Sequence, residues 1–124
     1  MVWIGVIIKE SLNDESVLKL VKVIKSRKTT LENESERGFL TFLSVELKDR
    51  DKDIFLKKAI SSIKDRFYIH IVKEKTMIVV YKNKFFEFSF GKSNKIEEVR
   101  NYGLSIGILK EQMPFEKLIK NPYG

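Results

Sequence analysis

The sequence predicts an α+β fold, a mixed five-stranded sheet with three main helices in the order β-α-β-α-β-β-β-α. Three observations predict it. Two stretches, Val2–Lys9 and Gly38–Lys48, are apolar enough to be strands. The segment after each of them carries apolar residues at helical spacing. The region Tyr68–Phe90 contains three short runs of β-branched and aromatic residues separated by polar turns, which is typical of an antiparallel meander.

The first strand, Val2–Lys9, has apolar residues on both faces, as central strands covered on both sides do. A helix is predicted from Ser11 to about Ser26, because Ser11 or Asn13 can cap its start. Its buried stripe would be Val17, Leu18, Val21 and Ile24. The polar, glutamate-containing segment Thr29–Arg37 is predicted to be a mobile loop.

The long strand Gly38–Lys48 is followed by Asp49–Asp53, which leads into a second helix that is expected to end near Phe67. Because helices join the first three strands, these strands are able to pair in parallel through right-handed crossovers. The meander strands are then predicted at Tyr68–Lys73, Thr76–Lys82 and Phe85–Phe90, with turns at Glu74-Lys75 and near Asn83.

A third helix is predicted over Asn94–Tyr102, with Asn94 as its cap and Gly103 as its C-terminal stop. Pro114 is expected to begin a short turn that extends through Ile119. The tail, residues 121–124, is expected to fray.

Two-residue turns would give the meander two apolar faces. The first face is predicted to be core and carries Tyr68, His70, Val72, Met77, Val79, Tyr81, Phe86, Phe88 and Phe90. The second carries Ile69, Ile71, Ile78, Val80 and Phe85. This second face is too apolar to be left in water, so a helix, a second copy of the chain or a nucleic acid is expected to cover it.

Composition bounds the function. With 124 residues, 43% of them apolar, residues 1–124 are predicted to form a single globular domain. The absence of cysteine and the presence of one histidine argue against thiol chemistry, a cysteine-ligated zinc and a His-rich metal site, and no cofactor is expected. The apolar start Val2–Ile8 is too short to span a bilayer and lacks a preceding basic region, which predicts a cytoplasmic protein without a membrane partner.

The net charge and the residue usage bear on the class of ligand. The net charge is +7, which favours polyanionic partners, and most of the excess lies in residues 63–124. The sequence is rich in Lys, Glu and Ile, which is also typical of thermophile proteins and of proteins from AT-rich genomes. A chain can therefore be this basic without binding nucleic acid.

The segment Phe90-Gly91-Lys92-Ser93 resembles the end of a phosphate-binding loop. The complete loop needs a glycine at the position of Phe86, which lies inside a predicted strand, so the backbone cradle cannot form. An NTPase is therefore not predicted. An anion site at the start of the third helix, with Lys92 and Lys95, remains physically reasonable.

Asp49–Asp53 alternates acidic residues like the start of a calcium-binding EF-hand loop. That loop requires glycine at its sixth position and glutamate at its twelfth, and this sequence has Ile54 and Ile60 there. We expect Asp51 or Asp53 to cap a helix instead.

Glu46-Leu47-Lys48 resembles the E-x-K half of the PD-(D/E)xK nuclease motif, in which the carboxylate holds Mg²⁺ and the lysine positions the attacking water. The two side chains would share a strand face. The second acidic residue of that motif, on a preceding strand, has no counterpart in this sequence.

The hairpins combine basic and aromatic residues, which on a sheet can hold phosphates while rings stack on bases. The candidate nucleic-acid or anion-binding residues are Lys73, Lys75, Lys82, Lys84, Lys92, Lys95 and Phe85. Lysines at strand ends also discourage edge-to-edge aggregation, which is the alternative explanation.

The sequence thus favours a non-catalytic binding or assembly module with a lean towards nucleic-acid association. Two alternatives are a homo-oligomer formed through the second apolar sheet face or an edge strand, and a Mg²⁺-dependent nuclease using Glu46 and Lys48.

Overall fold

The computed structural model describes residues 1–31 and 33–124, which form an open sheet of six antiparallel strands. The strands are β1 (Val2–Ile8), β2 (Lys22–Thr29), β3 (Leu40–Lys48), β4 (Ile69–Lys73), β5 (Thr76–Tyr81) and β6 (Lys84–Ser89). Their order across the sheet is β2-β3-β1-β4-β5-β6. The predicted α+β class and antiparallel meander are confirmed. The predicted count of five strands is wrong, and so is parallel pairing, since every neighbouring pair is antiparallel.

The α-helices of the described residues are α1 (Lys52–Ser62), α2 (Ser93–Ser105) and the single turn α3 (Phe115–Leu118). Helix α1 ends earlier than predicted. The backbone at Ile63 is extended, and this residue pairs with Leu12 in an isolated β-bridge. None of the helices in this part of the chain has the length and apolarity that crossing a bilayer requires.

The predicted first helix, Ser11–Ser26, is wrong. In its place two short 3-10 turns, Lys9–Ser11 and Glu15–Leu20, lead into β2. A β-branched run at Val21, Val23 and Ile24 disfavours a helix, and the open edge of β3 supplies the backbone partners for a strand. Of the expected stripe only Val17 is buried; Leu18 and Val21 are half-buried, and Ile24 is exposed.

One side of the sheet, which we call the α1 face, packs against α1. It carries Trp3 and Ile7 of β1, and Ile71, Ile78 and Val80 of the meander, all buried. The second apolar face of the meander is therefore covered by a helix, through Phe55, Leu56 and Ala59. Phe85, at the end of this face, stays 43% exposed.

The other side, the α2 face, is covered over β4–β6 by α2 and the segment after it. Val79, Tyr81 and Phe86 pack there against Val99 and Phe115. Most of the predicted core face is buried as expected, but Phe90 lies beyond the end of β6 and is exposed. Over β1 and β3 the same face is only half covered, which leaves room for a cleft.

Gly103 does not end α2, contrary to prediction. The helix continues to Ser105, and a Cβ on Gly103 would lie 2.4 Å from Sδ of Met113 and 2.9 Å from the hydroxyl of Tyr81. Glycine suits this position because side chains of β5 and of the segment after α2 pack closely against the helix backbone.

Candidate functional site

The structure does not gather the predicted hairpin residues into one surface. Lys73 and Lys75 lie at one end of the meander, while Lys82 and Lys84 lie at the other. Strands of five or six residues span roughly 17–20 Å, so the two groups are well separated. Phe85 lies on the α1 face, on the opposite side of β6 from Phe86.

Three of these lysines already have an acidic partner. Nζ of Lys73 lies 2.8 Å from Oδ1 of Asp49. Lys82 and Asp65 are 3.7 Å apart, and Lys95 and Glu98 are 3.3 Å apart. A lysine that is paired in this way offers less net charge to a phosphate than an unpaired one.

The remaining candidates contact aromatic rings or begin α2. The ammonium groups of Lys84 and Lys95 lie 4.8 and 5.4 Å from the ring centroid of Phe86, so the structure brings these two together. Lys75 lies 5.5 Å from the ring centroid of Phe90. Lys92 is the residue that precedes the first turn of α2.

Glu46 and Lys48 do lie on the same face of β3, as the alternation of the strand requires. Across the neighbouring strands, Glu46 is opposite Ile4 on one side and Lys22 on the other. Among residues 1–31 and 33–124, no group of three or more His, Asp or Glu side chains is placed to hold a metal ion.

A run of positive charge lies on β2, whose first part, as far as Ser26, falls within the predicted first helix. The eight residues of β2 carry Lys22, Lys25, Arg27 and Lys28 and no acid, and all four cations are exposed. None of the four forms an ion pair with another residue of the described chain. We call these four side chains the β2 strip.

β2 is an edge strand, because only β3 pairs with it. Its register shifts between Val23 and Lys25, which leaves Ile24 as the extra residue of a bulge. Lys25 then lies opposite Ser44 and Arg27 opposite Phe42, so both cations share the half-covered α2 face. The basic edge therefore borders the open part of that face.

A cleft of about 340 Å³ opens next to the β2 strip, between the α2 face and the C-terminal segment. Val6, Ile8 and Phe42 form its apolar floor. The guanidinium of Arg27 lies 5.5 Å from the ring centroid of Phe42, in a cation–π contact. The cleft is thus apolar inside and cationic on its β2 side.

Arg66 contributes a second cation to the cleft, and a buried carboxylate holds it there. Glu34 accepts hydrogen bonds from Arg66, from Nη1 of Arg37 at 3.0 Å and from Nε2 of Gln112 at 2.6 Å. Burial raises the pKa of Glu34, but these hydrogen bonds and the two arginine charges outweigh it, so its pKa lies below the usual value.

The predicted mobile loop Thr29–Arg37 is therefore anchored through Glu34, and Leu31 is buried as well. Glu32, which belongs to that predicted loop, lies outside the described residues. Only the spacing of Glu34 and Arg37, three residues apart, could have indicated this ion pair from the sequence.

The C-terminal segment forms the opposite wall of the cleft. Nε2–H of His70 donates to the carbonyl of Pro122 at 2.7 Å, and the hydroxyl of Tyr123 donates to the carbonyl of Val45 at 3.1 Å. The predicted fraying is thus wrong for Pro122 and Tyr123. Burial lowers the pKa of His70 to about 4, although the Pro122 hydrogen bond opposes this shift, so the ring is neutral at pH 7.

In comparisons with protein-family models, with curated proteins and with solved structures, no match to this chain is found. The cleft brings aromatic and cationic side chains together. It combines a ring-lined interior, in which Tyr68 and Tyr123 join Phe42, with cations at its edge. Aromatic rings and arginines are the groups that bind planar anionic ligands.

Proposed function

We propose that the chain is a non-catalytic binding module for single-stranded nucleic acid, which docks along β2 and the half-covered part of the α2 face. The observation that carries the proposal is the β2 strip, four exposed cations without an ion-pair partner in the described chain, on one edge strand beside the half-buried ring of Phe42 and the exposed ring of Phe39. Binding of this kind combines electrostatic contacts to the backbone with stacking of bases on aromatic side chains.

Two rings near β2 are available for stacking. Phe42 is half-buried on the α2 face next to Arg27. Phe39, just before β3, is 75% exposed, which is unusual for a phenylalanine in a folded chain. A single strand offers its base faces to such rings, whereas a duplex keeps them stacked inside. This favours a single-stranded ligand.

The hairpin lysines fit this role less well. Three of them are paired with acids, and they lie at opposite ends of the meander. In β2, Lys22, Lys25 and Arg27 share the α2 face at intervals of two or three residues, so a backbone that runs along this side of the strand can meet these three in succession.

Homo-oligomerisation has less support than nucleic-acid binding. The apolar face of the meander that could have received a second copy is covered by α1. An edge-to-edge pair through β2 would place four cations against the same four of the other copy, and like charges opposite each other destabilise strand pairing.

The test compares two triple variants that lose equal charge. Lys22→Gln/Lys25→Gln/Arg27→Gln removes the three cations of the β2 strip that lie on the α2 face, and Lys75→Gln/Lys82→Gln/Lys92→Gln removes three of the candidate lysines predicted from the sequence. Fluorescence anisotropy with a labelled single-stranded oligonucleotide is measured at several salt concentrations. We expect the β2 variant to bind about tenfold or more weakly, with a salt slope lower by about 2, because each phosphate contact to a single strand contributes about 0.7.

The hairpin variant should retain most of the affinity and the salt slope of the original chain. An equal loss in both variants would show that only net charge matters, and the β2 site would be rejected. The absence of oligonucleotide binding by the original chain at low salt would reject nucleic-acid binding altogether.

A further inference from the structure

Resting on the proposed function, we propose that the cleft beside β2 receives one nucleotide of the bound strand. Its base would lie among the ring side chains, and its phosphate would lie at Arg27 and Arg66. A nucleic-acid strand could bind along β2 without inserting a nucleotide into the cleft. The proposal for the cleft can therefore fail while the proposal for β2 holds.

The size of the cleft fits a ligand of this class. Its volume of about 340 Å³ lies at the lower end of the roughly 300–1,000 Å³ of small-molecule sites, so it suits one nucleotide rather than several. Val6 and Ile8 give it an apolar floor beneath the rings, as a base that leaves water requires.

The rings suit a planar ligand. Phe42 lies on the floor with the Arg27 guanidinium 5.5 Å from its centroid. Tyr123 lines the facing wall, and its position is fixed by the 3.1 Å hydrogen bond to Val45. The neutral ring of His70 adds no charge to this interior at pH 7. Stacking on such side chains contributes about 1–3 kcal/mol per base.

The charges place the phosphate at the edge of the cleft. Arg27 has no acidic partner among the described residues, so its guanidinium is available for a phosphate. The side chain of Arg66 is 49% exposed while Glu34 holds it at the rim. One carboxylate, Glu111, also lines the cleft, and it accepts a hydrogen bond from Nδ2 of Asn33 at 3.2 Å.

The chain contains its own reporter and its own control for a binding experiment. His70 is the only histidine and lines the cleft, so its ring C–H resonances are identifiable without assignment. Trp3 is the only tryptophan and is buried on the α1 face, where its indole N–H donates to Oδ1 of Asp49 at 2.8 Å. A ligand in the cleft should change the first signal and not the second.

The experiment titrates the chain with uridine 5′-monophosphate, with uridine and with inorganic phosphate. We expect the nucleotide to shift the His70 resonances saturably while the Trp3 indole resonance stays in place. Uridine should bind about tenfold or more weakly, because it lacks the group that Arg27 and Arg66 contact. Inorganic phosphate should leave His70 unchanged.

Val6→Phe fills the floor of the cleft and should abolish the response of His70 to the nucleotide. The matched control is Val2→Phe, since Val2 lies on the same face of β1, is 40% exposed and does not line the cleft. If Val6→Phe fails to fold, as the Trp3 resonance would show, Thr30→Phe fills the cleft from a residue outside the strands and leaves Trp3 as the only tryptophan.

The inference is overturned if the nucleotide leaves His70 unmoved while oligonucleotide binding still depends on the β2 strip. It is equally overturned if a filled variant that folds responds to the nucleotide as Val2→Phe does. In either case the proposed role of β2 is unaffected, because that role is tested with an oligonucleotide and with variants that remove charge from β2.

Discussion

Nε2 of His70 lies 2.7 Å from the carbonyl oxygen of Pro122, and this hydrogen bond ties the centre of the sheet to the C-terminal segment. Because a carbonyl only accepts, Nε2 carries the proton, which fixes the tautomer of the ring. The bond explains why a histidine is buried on β4, since it gives the polar edge of the ring a partner.

The first prediction concerns the protonation of His70. Its pKa is about 4 in the folded chain and near 6.5 when unfolded, so the unfolded state binds the proton first as the pH falls. The free energy of unfolding should therefore decrease between about pH 6.5 and pH 4, by an amount on the order of 3 kcal/mol, and should not change on this account above pH 7.

The NMR titration of the ring C–H resonances gives the folded pKa directly. His70→Gln keeps a donor for Pro122 without a titrating group, so its stability should lack this decrease. A His70 ring that titrates near pH 6.5 in the folded chain would contradict the prediction.

The second prediction concerns Gly5, where β1 and β4 approach closely. A Cβ at this position would lie 1.8 Å from the carbonyl oxygen of His70, a backbone atom that cannot move aside without breaking the strand pair. We expect Gly5→Ala to cost at least about 4 kcal/mol or to prevent folding, as measured by denaturant unfolding.

Gly38→Ala is its matched control. Gly38 has a φ of 79° and a ψ of −173° with open space around it, so alanine meets only the backbone strain of a conformation that favours glycine, about 1–3 kcal/mol. Similar losses for the two variants would show that the close approach of β1 and β4 is not what Gly5 provides.

The third prediction concerns the hydroxyl of Tyr81. It is buried and donates to the carbonyl of Val99 at 2.7 Å, which connects β5 to α2. Tyr81→Phe should lower the free energy of unfolding by about 1–2 kcal/mol, because the net value of a buried hydrogen bond is of that order. Tyr102→Phe, on a half-buried ring of the same cluster, should cost less than Tyr81→Phe. Equal costs would mean that the hydroxyl of Tyr81 adds nothing beyond its ring.

The meander could be predicted because its signals are local. Short apolar runs and two-residue turns define β4–β6 without reference to the rest of the chain, and Glu74 and Lys75 both adopt the positive φ that such turns need. The central position of β1 followed in the same way from apolar residues on both its faces.

β2 could not be predicted because its partner is distant in the sequence. Val17, Leu18, Val21 and Ile24 fit a helix by spacing alone, yet Ile24 is the extra residue of a bulge that exists only when β2 pairs with β3. A helix over this segment places Lys22 and Lys25 on no sheet edge, so the sequence alone does not bring them into the candidate site. The cleft was missed for a related reason, since Arg27, Arg66 and Tyr123 meet only in the folded chain.

The last prediction concerns Glu34, whose buried carboxylate holds Arg66 at the edge of the cleft. Glu34→Gln removes the charge that Arg37 and Arg66 share, so we expect a loss of about 1–3 kcal/mol in the free energy of unfolding at pH 7. Because the pKa of Glu34 is lowered by folding, its stabilising contribution is present at neutral pH and lost as the pH falls through the acidic range. The variant should therefore approach the original chain in stability at low pH.

Glu36→Gln makes the same charge change two residues away, on an exposed side chain without an ion pair in the described chain. It should alter stability by no more than about 0.5 kcal/mol. The two variants also differ in their expected effect on the cleft, since only Glu34→Gln releases Arg66. A stability loss in Glu36→Gln equal to that in Glu34→Gln would mean that charge in this segment matters and that the buried contacts of Glu34 do not.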